Sequence, residues 1–375
     1  MHDDTPGRPG SGSMVRSQIA ALPRYQYGLP EEYIRDHYQV DHIARLASNE
    51  NPFGIGRKAA LAAAAACADL GKYSDPESSR LRQALAAGLG LEASAIVVGN
   101  GSEDLICLLC RACLNPGDRV VTVTPSFPLH EIYPAEQGAQ VVTVPMRTDL
   151  QFAVEEILAA MDGDCRMLIV SNPSNPVGTM LGATDLERIA RKADAHTLLV
   201  IDEAYFEYAR ENDDYPDCLR LLADIPAPYV LLRTFSKAYG LAGARVGYGI
   251  FSDSDLAGHI DKLRTPFNVN RIAQAAALAA LDDMQHVEQT LAHNRVERSR
   301  LFAELQNRGY RVAPSQANFL FFDVGTDSAK VAEQLLRRGI VVKAWRQSGY
   351  GQFIRVTIGS RADNDLFLQV LAELG

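Results

Sequence analysis

The chain of 375 residues has few cysteines, no excess of positive charge and no long hydrophobic run. Six cysteines are too sparse to staple a fold through disulfides. Lysine plus arginine number 37 against 46 aspartates plus glutamates, which gives a net charge of −9 and pI ≈ 5.4. That balance argues against a general nucleic-acid binder or a partner of anionic membrane, yet a few local cations can still hold a small anion. The richest small-residue run, 59–68, is alanine-dominated and about half the length a membrane-spanning helix needs. No complete GxxxxGK[ST] phosphate loop, internal repeat or metal-like His/Cys/Asp grouping is present. Residues 1–13, MHDDTPGRPGSGS, are polar and read as a disordered tail or cloning remnant rather than a secretory signal. With 47% hydrophobic and 22% charged residues, the expectation is a soluble cytoplasmic protein of two lobes.

Cys107, Cys110 and Cys113 form a C-x2-C-x2-C pattern that would suit an iron–sulfur cluster. They lie in an apolar segment where a spacing of three places them along one side of a helix, and no fourth ligand accompanies them. Core packing is the stronger reading.

Short β-branched runs alternate with helical segments through the first two thirds of the chain. The clearest strands begin at Ala95, Arg119, Gln140, Met167, Thr197 and Tyr229; helices are predicted over Glu103–Cys113, Val154–Met161 and Thr184–Ala195. This pattern predicts an α/β fold with a mostly parallel sheet between helices. Beyond Asn270, long helices are expected over Ile272–Ala292 and Arg295–Arg308, followed by strands near 318–324, 340–343 and 353–359 and helices over Ser328–Arg338 and from Asn364. These describe a smaller α/β lobe. The predicted organisation is a tail at 1–13, a large domain over 45–270, and a small domain that includes 271–375.

Ligands of open α/β sheets bind at the carboxyl edge, so the ends of the strands matter most. One strand runs into Gly99-Asn-Gly-Ser-Glu103 and a helix, a turn whose glycines and free N–H groups suit phosphate, although many such turns look alike. A second ends in SNPSNPVG at 171–178, where prolines fix a rigid turn around Asn175. A third ends at Asp202, followed by Tyr205; an acid there could cap a helix, ligate a metal or face a heterocycle nitrogen. A fourth ends in Ser236-Lys237, ahead of Arg245. A lysine just past a buried strand is a candidate nucleophile toward carbonyls, because desolvation lowers its pKa. Together the clusters fit one ligand, pyridoxal 5′-phosphate: an aldehyde for Lys237, a pyridine nitrogen for Asp202, a phenolate for Asn175 and Tyr205, and a phosphate for Gly101, Ser102, Ser236 and Arg245.

In order along the chain, LASNENPFG at 46–54, NGSED at 100–104, SNPSNPVG at 171–178, DEAY at 202–205, RTFSKAYGLAGARVGY at 233–248, PFNVN at 266–270 and IRVTIGS at 354–360 resemble a fold-type I aminotransferase. The closest likeness is to the histidinol-phosphate aminotransferase family, over nearly everything from about Val15 onward, and it implies that 14–44 folds back onto the small domain with 271–375. The resemblance implies that Lys237 forms the cofactor aldimine and shuttles a proton, and that Asp202 keeps the pyridine nitrogen protonated. Tyr205 and Asn175 would hold the ring hydroxyl. Ser102 and Glu103 would offer backbone donors to the phosphate, with Ser236 and Arg245 completing the cradle. Tyr73 resembles a tyrosine that crosses to the neighbouring subunit's site, which implies a homodimer; packing alone is the alternative. Tyr25 and Asn49 look like substrate-side residues, and Arg355 matches an arginine that forks onto a substrate carboxylate or phosphate.

Two departures bear on the substrate. His130 stands where the family places a tyrosine to stack on the cofactor ring, and Lys343 aligns with a second phosphate-gripping arginine. The expected reaction moves an amino group from a donor, histidinol phosphate first, to a 2-oxo acid such as 2-oxoglutarate. A transaminase for aromatic or other amino acids, a decarboxylase or lyase of the same fold, and a ligand-sensing regulator are the alternatives.

Overall fold

A computed structural model of the chain describes residues 14–23 and 28–374; the tail at 1–13 and Tyr25 lie outside the described residues. Seven strands form the main sheet, in the spatial order Ile96–Gly99, Gly247–Phe251, Tyr229–Thr234, Leu198–Asp202, Cys165–Ser171, Arg119–Thr124 and Gln140–Pro145. All pair in parallel except Gly247–Phe251, which runs antiparallel to both neighbours. Successive residues serve opposite faces. Leu168, Val170, Leu199, Ile201 and Leu231 join one core, whereas Met167, Ile169, Val200, Val230 and Leu232 join another. Burial on both faces is why these strands read as unbroken apolar runs.

Register fixes the carboxyl edge. Ser171 lies opposite Asp202, Thr234 opposite Gly247, and Gly99 opposite Gly247 from the other side. The polar strand ends are therefore brought to one rim.

The strand Gly247–Phe251 escapes a sequence reading because glycine is disfavoured in strands. Here glycine is required: a Cβ on Gly247 would stand 2.4 Å from the Ser102 amide nitrogen.

A second, four-stranded antiparallel sheet runs Lys343–Ala344, Phe353–Thr357, Phe319–Asp323, Arg311–Val312. Its core gathers Leu320, Phe322, Ile354, Val356 and Phe367 with Leu301 and Leu305 from the long helix Met284–Asn307. Ala44–Arg45 pairs in parallel with Ile340–Val341, and Tyr38 donates to Glu333, so residues near 38–45 lie on this lobe.

Three expectations change. The turn at Ser17–Ala20, expected on the second lobe, lies against the helix Leu129–Glu136 of the first, with Arg16 near Glu136. The helix Arg271–Leu281 packs on Arg57–Ala66, and its Ala273, Ala276, Ala277 and Ala280 enter the main core, so the second lobe begins near residue 283 rather than 271. Small side chains on that face permit the close approach. The helix expected over 272–292 breaks at Asp282-Asp283, where the Asp283 carboxylate accepts from the Lys58 amide and the Asp282 carbonyl accepts from the Lys58 ammonium.

The three spaced cysteines lie on the helix Ser102–Cys113; Cys110 is buried in the core and burial pushes its thiol well up. Among the described residues no group of three or more His, Cys, Asp or Glu is placed to hold a metal ion, and no helix is long and apolar enough to cross a membrane.

Next to the third strand end, Glu203 is fully buried and accepts from Arg233 Nε at 2.8 Å and from the Tyr215 hydroxyl at 3.1 Å. Burial alone would lower the Arg233 guanidinium; the Glu203 carboxylate outweighs it and holds it raised. Glu203→Gln would leave a buried cation without its counter-charge, and the expected loss is ~3–5 kcal/mol of stability. A urea midpoint unchanged in that variant, at constant slope, would contradict this account.

Candidate active site

A cavity of about 370 Å³ opens at the carboxyl edge, between the two lobes. Its lining includes Asn49, Gly101, Ser102, Glu103, Asn175, Asp202, Tyr205, Ser236, Lys237, Arg245, Lys343 and Arg355. Twelve residues singled out from sequence thus meet at one place. Tyr73 and His130 do not line it.

Lys237 follows the strand Tyr229–Thr234, and its Nζ donates to the Ser48 carbonyl at 2.9 Å. Burial lowers its pKa to about 8, with the Arg355 and Arg245 cations adding to the effect and Glu50 opposing it. The amine is poised to act as nucleophile and base near neutrality.

Asp202 closes its strand nearly buried. One carboxylate oxygen accepts from the Ala204 amide at 3.1 Å; the other lies 3.3 Å from His130 Nε2. His130 in turn meets the Ser126 hydroxyl at 3.1 Å through Nδ1. This corrects the expectation that His130 stacks over a ligand ring: it is fully buried behind Asp202, and Phe127, three residues earlier, is the ring of this segment that stands on the cavity wall. Phe127 precedes the helix Leu129–Glu136 and His130 lies in its first turn, so the two rings face different ways, edge to face at 5.6 Å.

Tyr205 is held through Asn49, whose Nδ2 donates to the phenol oxygen at 2.9 Å. Asn49 has φ 55°, a left-handed conformation, and four hydrogen bonds fix it there. Its amide N–H donates to Thr357, its carbonyl accepts from Asn318, its side-chain oxygen accepts from Thr357, and its side-chain nitrogen serves Tyr205. Asn175 accepts from Arg355 Nη1 at 2.7 Å, and Arg355 also donates to the Ala47 carbonyl. Lys343 lies in register with Arg355 on the adjacent strand; burial, then the Arg355 and Arg346 cations, lower its pKa.

At the far end the helix Ser102–Cys113 points its N-terminus at the cavity with no side chain capping it. Gly101 has φ 89°, and a Cβ there would stand 2.7 Å from Arg245 Nη2. Arg245 Nη1 lies 3.5 Å from the Ser236 hydroxyl, while its Nη2 is 3.6 Å from Glu103, which also accepts from Tyr133. Free amide groups, a guanidinium and a hydroxyl around a space kept clear by glycines make an anion cradle. Thr234, Glu50 and Phe127 line the cavity unforeseen. Glu50 is gripped by Arg45 at 2.6 and 2.9 Å. Glu50 and Thr234 stand within quoted motifs and Phe127 stands three residues before His130, and that adjacency was the only available signal.

The profile of the family described as aminotransferase class I and II matches residues 41–371. The chain is 46% identical to "Histidinol-phosphate aminotransferase 3" of Rhizobium meliloti, over 98% of both chains. It is 45% identical to "Histidinol-phosphate aminotransferase 1" of Mesorhizobium japonicum, over 97% of this chain and 99% of that one. The crystal structure of a histidinol-phosphate aminotransferase from Sinorhizobium meliloti, in complex with pyridoxal 5′-phosphate, superposes with a TM-score of 0.87 at 32% identity, covering 97% of this chain and 99% of that one.

Proposed function

The chain belongs to the class I and II aminotransferase family, and we propose that it transfers the amino group of histidinol phosphate to a 2-oxo acid, 2-oxoglutarate, with pyridoxal 5′-phosphate as cofactor. Identity near one half along almost the whole length of a histidinol-phosphate aminotransferase is the observation that carries the donor. The residues present fit the cofactor: Gly101 and Gly247 keep the helix N-terminus open beside Arg245, and a lysine of lowered pKa shares the cavity with a buried aspartate. When bound, the cofactor supplies an electron sink for the carbon that bears the amine.

The chain's own residues do the rest. Lys237 Nζ would bind the aldehyde and move the proton of the donor carbon. Asp202 would keep a proton on the ring nitrogen. Asn175 and Tyr205 would hold the ring oxygen, and Phe127 would offer the ring an apolar wall. The amides of Ser102 and Glu103, with Ser236 and Arg245, would hold the phosphate. Arg355 takes the acid group of donor or acceptor, with Lys343 adding charge beside it.

Single-turnover rates for histidinol phosphate, phenylalanine, alanine and lysine test the donor. Histidinol phosphate is expected fastest; equal rates with phenylalanine would remove the donor assignment and leave the transaminase. Arg355→Lys keeps a charge but loses the fork, so KM for histidinol phosphate should rise about 10- to 100-fold with kcat less affected. An unchanged KM would place the acid group elsewhere.

Tyr73 is 79% exposed and stacks on Phe267 at 4.4 Å, outside its own cavity. This apolar pair supports a homodimer in which Tyr73 reaches the other subunit's site. Sedimentation should give twice the 40.9 kDa chain mass, and a monomer at working concentration would overturn it.

A further inference from the structure

Away from the active cavity, and sharing no residue with it, a second cavity of about 230 Å³ lies where the long helix Met284–Asn307 meets the segments around Tyr208 and Gln316. Its polar groups are incompletely paired. Arg298 donates to the Ala317 carbonyl at 3.0 Å and weakly to Gln316 Oε1 at 3.4 Å, and it has no ion pair among the described residues. The one nearby carboxylate, Glu211, is engaged by Arg295 at 2.8 Å. Burial lowers the Arg298 guanidinium to about 10; the Glu211 carboxylate opposes the shift and the Arg295 cation adds to it.

One turn earlier on the same helix, Asn294 is 5% exposed, and its side-chain oxygen has no partner. Its Nδ2 reaches only the Ala317 carbonyl, at 3.4 Å. The buried Tyr208 hydroxyl, beside Asn318, also lacks a partner of good geometry. Buried polar atoms of native proteins are almost always satisfied, so unpaired groups converging on one cavity call for an occupant.

The required chemistry can be read from the wall. Arg298 asks for an anionic oxygen and Asn294 Oδ1 asks for an N–H or O–H donor. Residues four apart on a helix stand about 6 Å from each other, so both demands fall on one small molecule. Acids and amines that carry only one of the two groups would leave the other demand unmet. A 2-amino acid carries carboxylate and ammonium on one carbon, and the cavity has room for roughly eight water volumes. We propose that this cavity is a second binding site for a free 2-amino acid, with the carboxylate on Arg298 and the ammonium on Asn294 Oδ1.

The location links the site to the chemistry. The Ala317 carbonyl that Arg298 and Asn294 share belongs to the residue before Asn318, which donates to the Asn49 carbonyl; Asn49 holds Tyr205. A transaminase consumes one amine and produces another, so a site for the free amino acid outside the cavity is suited to sensing it.

The test uses holoenzyme reduced with borohydride, which seals Lys237 to the cofactor so that an added amine cannot displace it. Calorimetric titration with L-alanine, propionate and ethylamine separates the two halves of the demand. L-Alanine should bind once per subunit, with propionate and ethylamine at least about 10-fold weaker. Arg298→Gln should weaken L-alanine at least about 10-fold, and Asn294→Leu should reduce it to the affinity of propionate. Arg298→Lys, which keeps the charge, serves if the glutamine variant does not fold, and should retain part of the binding. No heat with L-alanine means that waters fill the cavity, and the proposal fails. It fails equally if propionate matches L-alanine, or if L-alanine binds the folded Arg298→Gln variant unchanged.

Discussion

Lys237→Ala is expected to lower kcat/KM at least about 10⁴-fold, because in the proposed reaction one side chain is both the anchor of the cofactor and the base that moves the proton. The absorption band of the lysine–cofactor bond should vanish with it. Retained band and retained turnover would end the assignment. The cavity holds a second amine, Lys343, but it stands on the other sheet beside Arg355 and is not equivalent. The environment of Lys237 also dictates a pH dependence. With a pKa of about 8, roughly a quarter of the amine is free at pH 7.5, against about one part in a thousand for an ordinary lysine. Capture of the cofactor by apoenzyme should therefore accelerate with rising pH through a midpoint near 8. Arg355 is a cation that disfavours the protonated amine, so Arg355→Gln should move the midpoint upward. A midpoint that stays put would mean that burial alone sets it.

Lys237, Asp202 and Asn175 were legible because each is a polar residue at or a few residues beyond the end of an apolar strand, and parallel strands in register bring such ends to one edge. Arg355, in the middle of the antiparallel strand Phe353–Thr357, was legible only through the family resemblance. What could not be read depends on how elements meet. Phe127 and His130 are both rings in one short segment, and only the turn into the helix Leu129–Glu136 decides that Phe127 faces the cavity while His130 backs Asp202. The strand Gly247–Phe251 hides behind two glycines, Gly247 demanded by the Ser102 amide and Gly249 by the Phe251 and Leu105 side chains. The boundary between lobes was misplaced by about a dozen residues because the alanines of Arg271–Leu281 carry no sign of which core they enter. The break before Met284 is set by Lys58, more than two hundred residues earlier in the chain. Local pattern named the chemistry; long-range packing chose the partners.

Asp202→Asn should cost about 10³-fold in kcat while leaving the fold intact. Three carboxylates line the cavity, and two are already neutralised: Glu50 by Arg45, and Glu103 by Arg245 with a Tyr133 hydrogen bond. Asp202 alone has an oxygen turned to an imidazole rather than to a fixed cation, which leaves its charge available to a ring nitrogen. His130 is then a positioning residue: fully buried and tied to Ser126, it fixes the carboxylate against rotation. Supporting contacts of this kind are worth about 10- to 100-fold, so His130→Asn should lower kcat by the smaller of these factors with KM little changed. If His130 acts only through Asp202, its removal adds little once the carboxylate has gone. The double variant should fall no more than about 3-fold below Asp202→Asn alone. Losses that multiply instead would show His130 acting on the cofactor or substrate directly, by a route that its position behind the carboxylate does not provide.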